Sequence, residues 1–153
     1  MNNTKLTKDI VIHQITNAFS DVKLGDGIGL WEAQAIDDYA SKEEQKHARS
    51  KDEKENWKIL KPEVLQKCNS SLSFFDAEGM RFHIPAFIIA SIQDDDILDP
   101  VFHLSQVVDQ RFILLDKKQK QAITLYLKWC LTQENYEFDF PHIKRILKTY
   151  WEK

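Results

Sequence analysis

The segment Leu72–Phe87, LSFFDAEGMRFHIPAF, decides the fold, because aromatic and aliphatic side chains surround one short polar island there. Nowhere else in the sequence do two carboxylates, an arginine and a histidine fall so close together in an apolar setting. The polar residues of this island are Asp76, Glu78, Gly79, Arg81 and His83. We therefore expect this segment to supply part of the hydrophobic core and to be the first place to look for a functional site.

Two local structures are compatible with this segment. In the first, residues 72–75 and 80–84 form the strands of a short β-hairpin, with residues 77–79 in its turn. In the second, Asp76 caps a helix that begins at residue 77, and Pro85 either kinks this helix or starts another that runs to about residue 93. We favour the helix, because Arg81 follows Glu78 by three residues and could pair with it on one helical face. The hairpin near residues 72–84 stays open as the alternative.

The chain before this segment predicts two helices separated by a turn. Apolar residues recur at spacings of three and four between residues 5 and 20, which is typical of an amphipathic helix. Three glycines then fall within the five residues Gly25–Gly29, and they indicate a sharp turn. A second helix is expected from about residue 29 to residue 40, with Trp31, Ala35 and Tyr39 along one side.

Charged residues dominate positions 41–58, SKEEQKHARSKDEKENWK, where Trp57 is the only large apolar residue. This composition predicts an exposed helix or a connector. Arg49 and Asp52 stand three residues apart, so we expect them to form a surface ion pair contributing only ~0.2–0.5 kcal/mol.

Helix-start signals follow the central segment. Residues 116–119 have the form of a capping box, with Asp116 in place of the usual serine or threonine, and they predict a helix with a buried apolar stripe. Asp139, Phe140 and Pro141 predict the start of a final helix, because proline is favoured in a first helical turn.

Length, charge and cysteine content restrict the class of protein. A chain of 153 residues with 42% hydrophobic and 29% charged residues fits one folded domain, and its net charge of −3 does not favour a nucleic-acid partner. Cys68 and Cys130 lie in no metal-binding motif, so we expect reduced thiols in the cytoplasm. The first residues lack the apolar core of a signal peptide, and the longest apolar run is too short to span a bilayer. We therefore expect a soluble cytoplasmic protein without a membrane partner.

Several segments together resemble an uncharacterised bacterial family known only as a domain of unknown function. The matching segments are GDGIGL at residues 25–30, Glu32 with Ala33, residues 37–39, Arg49 and Asp52 before Trp57, residues 72–74, RFHIPAF at residues 81–87, and RFILL at residues 111–115 followed by residues 119–127. The resemblance covers most of the chain in order. Such relatives often read Thr-Pro-Glu-Ala at positions 76–79, which favours the start of a helix. Gly79 departs from their pattern, so the hairpin remains the alternative prediction. The family brings no established activity, so the resemblance supports the fold and implies no function.

One candidate site is an acid/base centre in the polar island, formed by Asp76, Glu78, Arg81 and His83. A carboxylate could orient the imidazole, and the arginine could hold an anion. The purely structural interpretation of the same residues is a helix cap at Asp76, a helical pair of Glu78 with Arg81, and a half-buried His83.

A second candidate is the acidic cluster formed by Asp94, Asp95, Asp96 and Asp99. Consecutive aspartates cannot all face one ion, and the spacing of an EF-hand is missing, so we expect neither a metal nor another cofactor. The cluster could instead face a basic partner protein, where complementary charge speeds association.

These observations predict a mostly α fold, in a single compact domain of about six helices that spans residues 1–153. We expect a small cytosolic bacterial protein that acts as a non-catalytic protein-binding module. One version is an immunity or antitoxin-type protein whose partner is a toxin or the product of a neighbouring gene. The alternative function is an enzyme with the acid/base site described above.

Overall fold

Helices account for the regular structure in the computed structural model of this chain, which describes residues 5–94, 100–106 and 110–153. Within these residues there are eight α-helices and no β-strand. The helices are α1 (Lys8–Ala18), α2 (Leu30–Asp37), α3 (Lys42–Ser50), α4 (Pro62–Lys67), α5 (Ala77–Gln93), α6 (Val101–Leu104), α7 (Lys117–Cys130) and α8 (Phe140–Ile146). Short 3₁₀ turns cover Trp57–Ile59, Ser71–Ser73 and Glu134–Asp139, and a π-helical turn, Leu147–Trp151, continues α8.

The mostly helical prediction is confirmed, although the described residues contain more helices than the six expected. The six residues of α4 and the four residues of α6 lie where Pro62 and Pro100 predict short helices, over residues 62–67 and near residues 100–109, because proline is favoured in a first helical turn. Each of these two helices completes fewer than two turns, so it carries little periodic signal in the sequence.

The predicted alternative of a β-hairpin near residues 72–84 is wrong, because α5 begins at Ala77 and runs unbroken to Gln93. The Oδ1 atom of Asp76 accepts a hydrogen bond from the backbone N–H of Gly79 at 2.8 Å, which is the N-cap interaction expected for the helix. Gly79 therefore lies in the first turn of α5 and not in a hairpin turn. Pro85 lies inside the same helix without ending it.

Helix α5 runs through the hydrophobic core, and twelve of its residues are buried. Helix α1 packs against both α5 and α7, and the 3₁₀ turn at Trp57–Ile59 and α4 contact α5 as well. The largest fully buried side chains include Phe19, Phe82, Phe87, Phe112 and Tyr126, which come from separate parts of the chain. A helix that is apolar around its circumference is buried by elements on several sides, and α5 has this role.

The charged tract predicted as an exposed helix or connector contains α3, in which no residue is buried. Ser41 and Glu44 form a capping box at the start of α3, and the tract returns to the core at Trp57, which is 3% exposed. The Trp57 indole N–H donates to the backbone oxygen of Phe19 at 2.8 Å. Helix α3 is thus an outer element whose main neighbour is α2.

Helix α7 begins as the capping-box pattern predicts. The carboxylate of Asp116 accepts from the backbone N–H of Gln119 at 2.8 Å, and the Gln119 side chain accepts from the backbone N–H of Asp116 at 2.9 Å. Among the described residues, none of the helices combines the length and apolarity needed to cross a membrane.

Candidate functional site

Asp76 has a structural role that extends beyond the cap of α5. Its Oδ1 atom also accepts a hydrogen bond from the backbone N–H of Ile28 at 3.0 Å. The same carboxylate oxygen therefore joins the glycine-rich turn at residues 25–29 to the first turn of α5. The two hydrogen bonds from backbone N–H groups to the carboxylate stabilise this junction. The oxygen that accepts them is therefore occupied by contacts within the fold.

The glycines of the turn permit a close approach of backbone segments. Gly25 has φ of +59°, which is the left-handed conformation that glycine adopts without strain. A Cβ atom at Gly27 would lie 2.8 Å from both the Cβ atom of Glu78 and the backbone nitrogen of Gly79. The glycine at position 27 is thus explained by its close contact with α5.

Asp52 caps helix α2 although it lies twenty and twenty-one residues after the two backbone groups that it binds. Its Oδ1 atom accepts from the backbone N–H of Trp31 at 2.7 Å, and its Oδ2 atom accepts from that of Glu32 at 3.1 Å. Burial raises the pKa of the Asp52 carboxyl above its usual value, although the two backbone hydrogen bonds act in the opposite direction. The predicted surface ion pair of Arg49 with Asp52 is therefore wrong, because Asp52 turns inward to the helix end.

Arg49 makes its contacts with the glycine-rich turn and with α2. Its Nη2 atom donates to the backbone oxygen of Gly25 at 2.7 Å, and its Nε atom lies 3.5 Å from the Oε1 atom of Glu32. Glu32 in turn accepts from the backbone N–H of Gly29 at 2.9 Å. These contacts fix α2 and α3 against each other, and sequence spacing alone gave no signal for them.

His83 lies in the core, with no exposed surface. Its ring stacks on Phe75 at a centroid distance of 4.3 Å and meets Phe82 edge-on, while its Nδ1 atom lies 2.7 Å from the backbone oxygen of Gly79. The Nε2 atom is buried without a hydrogen-bond partner. Burial lowers the pKa of His83 to about 4, so the imidazole is neutral near pH 7, with its proton on Nδ1 donated to Gly79.

The four residues of the predicted acid/base site face different surroundings. Asp76 is engaged by backbone N–H groups, His83 is enclosed by aromatic rings, and Glu78 and Arg81 line a surface pocket. No ion pair joins Glu78 to Arg81 in the part of the chain that the structure describes. A general acid or base must reach the reacting group, so this geometry does not support an acid/base centre at these residues.

The acidic cluster is only partly within the described residues. Asp94 follows the last residue of α5 and is exposed, whereas Asp95, Asp96 and Asp99 lie outside the described residues. In the described ranges, no three histidine, cysteine, aspartate or glutamate side chains are grouped so that they could hold a metal ion. The prediction that this cluster binds a partner therefore stays a prediction.

A groove of about 810 Å³ lies between α2 and α3, and more of its exposed lining is apolar than polar. Trp31 is 38% exposed and Tyr39 is 96% exposed. The apolar side predicted for the second helix therefore faces partly toward this groove instead of being fully buried in the core. We refer to this surface as the α2–α3 groove. Its lining residues are Trp31, Ala35, Asp38, Tyr39, Ala40, Glu43, Glu44, His47, Ala48 and Lys51.

Tyr39 ends helix α2 in a conformation that glycine normally occupies. Its φ is +57°, its backbone N–H donates to the oxygen of Ile36 at 3.1 Å, and the N–H of Ala40 donates to the oxygen of Ala35 at 3.0 Å. These are the two hydrogen bonds of a Schellman motif, in which the left-handed residue is usually glycine. This feature could not be predicted from the sequence, because a tyrosine gives no signal of a left-handed helix end.

Comparison with known proteins places the chain in a family but supplies no activity. No curated protein and no solved structure matches it. The sequence model of a family of unknown function, DUF6714, matches residues 7–153. Because the match extends over nearly the whole chain, this protein belongs to the DUF6714 family.

Proposed function

We propose that this chain is a non-catalytic protein-binding module that binds its partner through the α2–α3 groove. The observation that carries the proposal is Tyr39, a tyrosine that is 96% exposed while its backbone is held in a left-handed conformation. Neither property favours folding, since a left-handed non-glycine residue costs roughly 1–2 kcal/mol and an exposed aromatic ring buries nothing. Unfavourable backbone conformations that persist in a fold are concentrated at functional surfaces.

The remaining lining supports a protein partner over a small polar ligand. Trp31 and Tyr39 belong to residue types that, together with arginine, are enriched at the energetic centres of protein interfaces. The alanines at 35, 40 and 48 keep the space between the helices open for side chains of a partner. An apolar groove between two helices suits an amphipathic helix, which inserts residues spaced by three and four positions.

The charged residues of the groove favour one orientation of the partner's helix. Asp38, Glu43 and Glu44 surround the end that contains Tyr39, whereas His47 and Lys51 lie further along α3. We therefore propose that the occupant is an amphipathic helix of a partner protein, with lysine or arginine residues at the end that meets the three carboxylates. Complementary charges of this kind set orientation and speed association.

The partner that we propose is a toxin or the product of a neighbouring gene, which would make the chain an immunity or antitoxin-type protein of the bacterial cytoplasm. The acidic stretch at Asp94, Asp95, Asp96 and Asp99 would then add long-range attraction to a basic partner. This version rests on the net charge of −3 and on the proposed docking surface.

The test is co-purification of the chain with the neighbouring gene product, followed by calorimetric measurement of the dissociation constant. The informative variant is Tyr39→Gly, which removes the exposed ring and keeps the backbone conformation. Gln110→Gly is a matched control, because Gln110 also has a left-handed φ of +56° and does not line the groove.

We expect Tyr39→Gly to raise the dissociation constant at least about tenfold, as loss of an aromatic anchor does, and Gln110→Gly to leave it unchanged. Equal affinity of wild type and Tyr39→Gly would contradict the proposed surface. Failure of the two wild-type proteins to form a complex would remove the neighbouring gene product as the partner.

A further inference from the structure

A second depression, separate from the α2–α3 groove, lies where α1 ends and α7 begins. It has a volume of about 690 Å³ and is bounded by residues 17–18, residues 20–25, α5 and the first turn of α7. Pockets that hold small molecules have volumes of roughly 300–1,000 Å³. Most of the side chains lining this pocket are polar, which favours a polar ligand.

Several of its polar groups are already engaged within the protein. The Nζ atom of Lys23 lies 3.3 Å from the carboxylate of Glu55 and donates to the backbone oxygen of the same residue. Asp116 accepts from the backbone of Gln119, and the Gln119 amide donates to the backbone oxygen of Ala18 at 3.2 Å. These residues complete the fold and leave little capacity for a ligand.

Glu78 and Arg81 are among the lining residues that are not engaged in this way. They are three residues apart on α5, so their side chains project from neighbouring positions of one helical face. Within the described residues, neither side chain forms an ion pair or a hydrogen bond with another protein group. The Nε atom of Arg81 is also shielded from solvent without an acceptor, whereas most buried polar atoms in proteins have a hydrogen-bond partner.

We propose that this pocket binds a small zwitterion of the α-amino-acid class, with its carboxylate on Arg81 and its ammonium group on Glu78. A guanidinium binds a carboxylate through two parallel N–H donors, and a small rotation of the Arg81 side chain would give Nε the acceptor that it lacks. The Cβ atoms of residues three apart on a helix lie about 5–6 Å from each other. That separation suits a ligand whose two charged groups are attached to one carbon atom.

The charge balance of the pocket argues against an anion without a positive group. Asp21, Glu78 and Asp116 line it together with Lys23, Arg81 and Lys118, so the numbers of positive and negative side chains are equal. A phosphate or dicarboxylate would meet three carboxylates, and like charges at short range oppose binding. A zwitterion satisfies both signs at once.

The test is titration of ¹⁵N-labelled protein with each of the common α-amino acids, observed by two-dimensional NMR. Each amino acid is compared with its N-acetyl derivative, which lacks the ammonium group, and with its amide, which lacks the carboxylate. We expect saturable shifts of the Gly25, Glu78 and Gln119 amide signals with at least one free amino acid at about millimolar concentration, and none with its two derivatives.

Variants distinguish the proposed contacts from general effects of charge. Glu78→Gln and Arg81→Lys should each weaken binding by about tenfold or more. The first removes the negative charge that binds the ammonium group, and the second removes the forked geometry of the guanidinium. Lys128→Gln removes a charge that pairs with Glu152 outside this pocket, and it should leave binding unchanged. Circular dichroism confirms that each variant is folded.

The proposal is overturned if no free amino acid shifts these signals, or if a derivative binds as well as its parent. Unchanged affinity in both Glu78→Gln and Arg81→Lys would overturn it as well. The α2–α3 groove takes no part in this experiment, so failure here leaves the proposed protein-binding surface to be judged by its own test.

Discussion

Asp52 lies so close to Gly29 that a Cβ atom at position 29 would come within 2.6 Å of the Asp52 carboxylate carbon. The glycine therefore makes room for the side chain that caps helix α2. Because Asp52 is 7% exposed, the displaced carboxylate could not move freely into solvent. The orientation of α2, and with it one wall of the α2–α3 groove, depends on this contact.

Replacing Gly29 by alanine should destabilise the protein by about 1–3 kcal/mol, which is the usual cost of inserting a methyl group into a packed site. In a protein that already carries Asp52→Gly, the same replacement should cost much less, because the carboxylate that collides with the new methyl group is gone. Urea unfolding of the two single variants and the double variant measures this coupling. Strict additivity of the two free-energy changes would show that the contact is not the reason for the glycine.

Tyr39→Gly should make the protein more stable by about 1 kcal/mol, since glycine adopts the left-handed conformation without the penalty that tyrosine carries. Gln110→Gly should have a stabilising effect of similar size for the same reason. Thermal or urea unfolding checks both values. A loss of stability in Tyr39→Gly would mean that the ring contributes to the fold, and the argument that it is retained for binding would then fail.

The buried His83 should make stability fall as the pH is lowered. Its pKa is about 4 in the folded protein and 6.5 in the unfolded chain, so the unfolded state alone binds the proton between these values. The stability that depends on the neutral His83 is fully present above pH 6.5 and is lost as the pH falls to 4. The loss is about 1.4 kcal/mol per pH unit and about 3 kcal/mol in all. Burial and the charge of Arg111 also lower the pKa of His103 to about 4, so His103 acts in the same direction.

The measurement is the free energy of unfolding from pH 8 to pH 4.5 for wild type and His83→Leu. Altered packing should change the stability of the variant by the same amount at every pH, whereas its dependence on pH between 4.5 and 6.5 should be shallower by about 1.4 kcal/mol per pH unit. Asp52 and His103 are present in both proteins, so the difference in slope isolates His83. Parallel pH profiles would contradict the neutral, fully buried imidazole.

Both cysteines should be unreactive in the folded protein. Cys68 and Cys130 have no exposed surface and form no disulfide, and burial raises the pKa of the Cys68 thiol to about 12. Because the thiolate is the reactive form, a disulfide reagent such as Ellman's should label neither residue in native protein at pH 8. Two thiols should react after denaturation in urea without reductant. Rapid labelling of either cysteine without urea would show that the core opens at that position.

Local signals in the sequence predicted the helices that begin with their own caps. Asp76 and Asp116 both stand directly before the turn that they cap, and each bonds a backbone N–H three residues later. Such signals are readable because donor and acceptor are neighbours in the chain. The hairpin alternative depends on apolar runs at residues 72–75 and 80–84 and on Gly79, a residue typical of turns. In the structure a Cβ atom at this glycine would lie 2.5 Å from the oxygen of Ile28, a contact with a distant segment.

The features that define the candidate surfaces depend on contacts that sequence spacing does not encode. Asp52 appeared to be one more charge in a solvated tract, yet its partners lie twenty and twenty-one residues earlier. The spacing of Glu78 and Arg81 predicts a pair, yet both line a pocket bounded by the end of α1 and the start of α7. Periodicity identifies the apolar side of a helix, but the packing of neighbouring helices decides how much of that side is left exposed, as at Trp31 and Tyr39.

Hydrogen–deuterium exchange of the chain, alone and in complex with the neighbouring gene product, tests the proposed binding surface most directly. The account predicts that the partner slows exchange in residues 31–51, which carry α3, most of α2 and the turn at Tyr39, and that Tyr39→Gly abolishes this protection. Protection confined to other parts of the chain, with residues 31–51 exchanging as in the free protein, would contradict it.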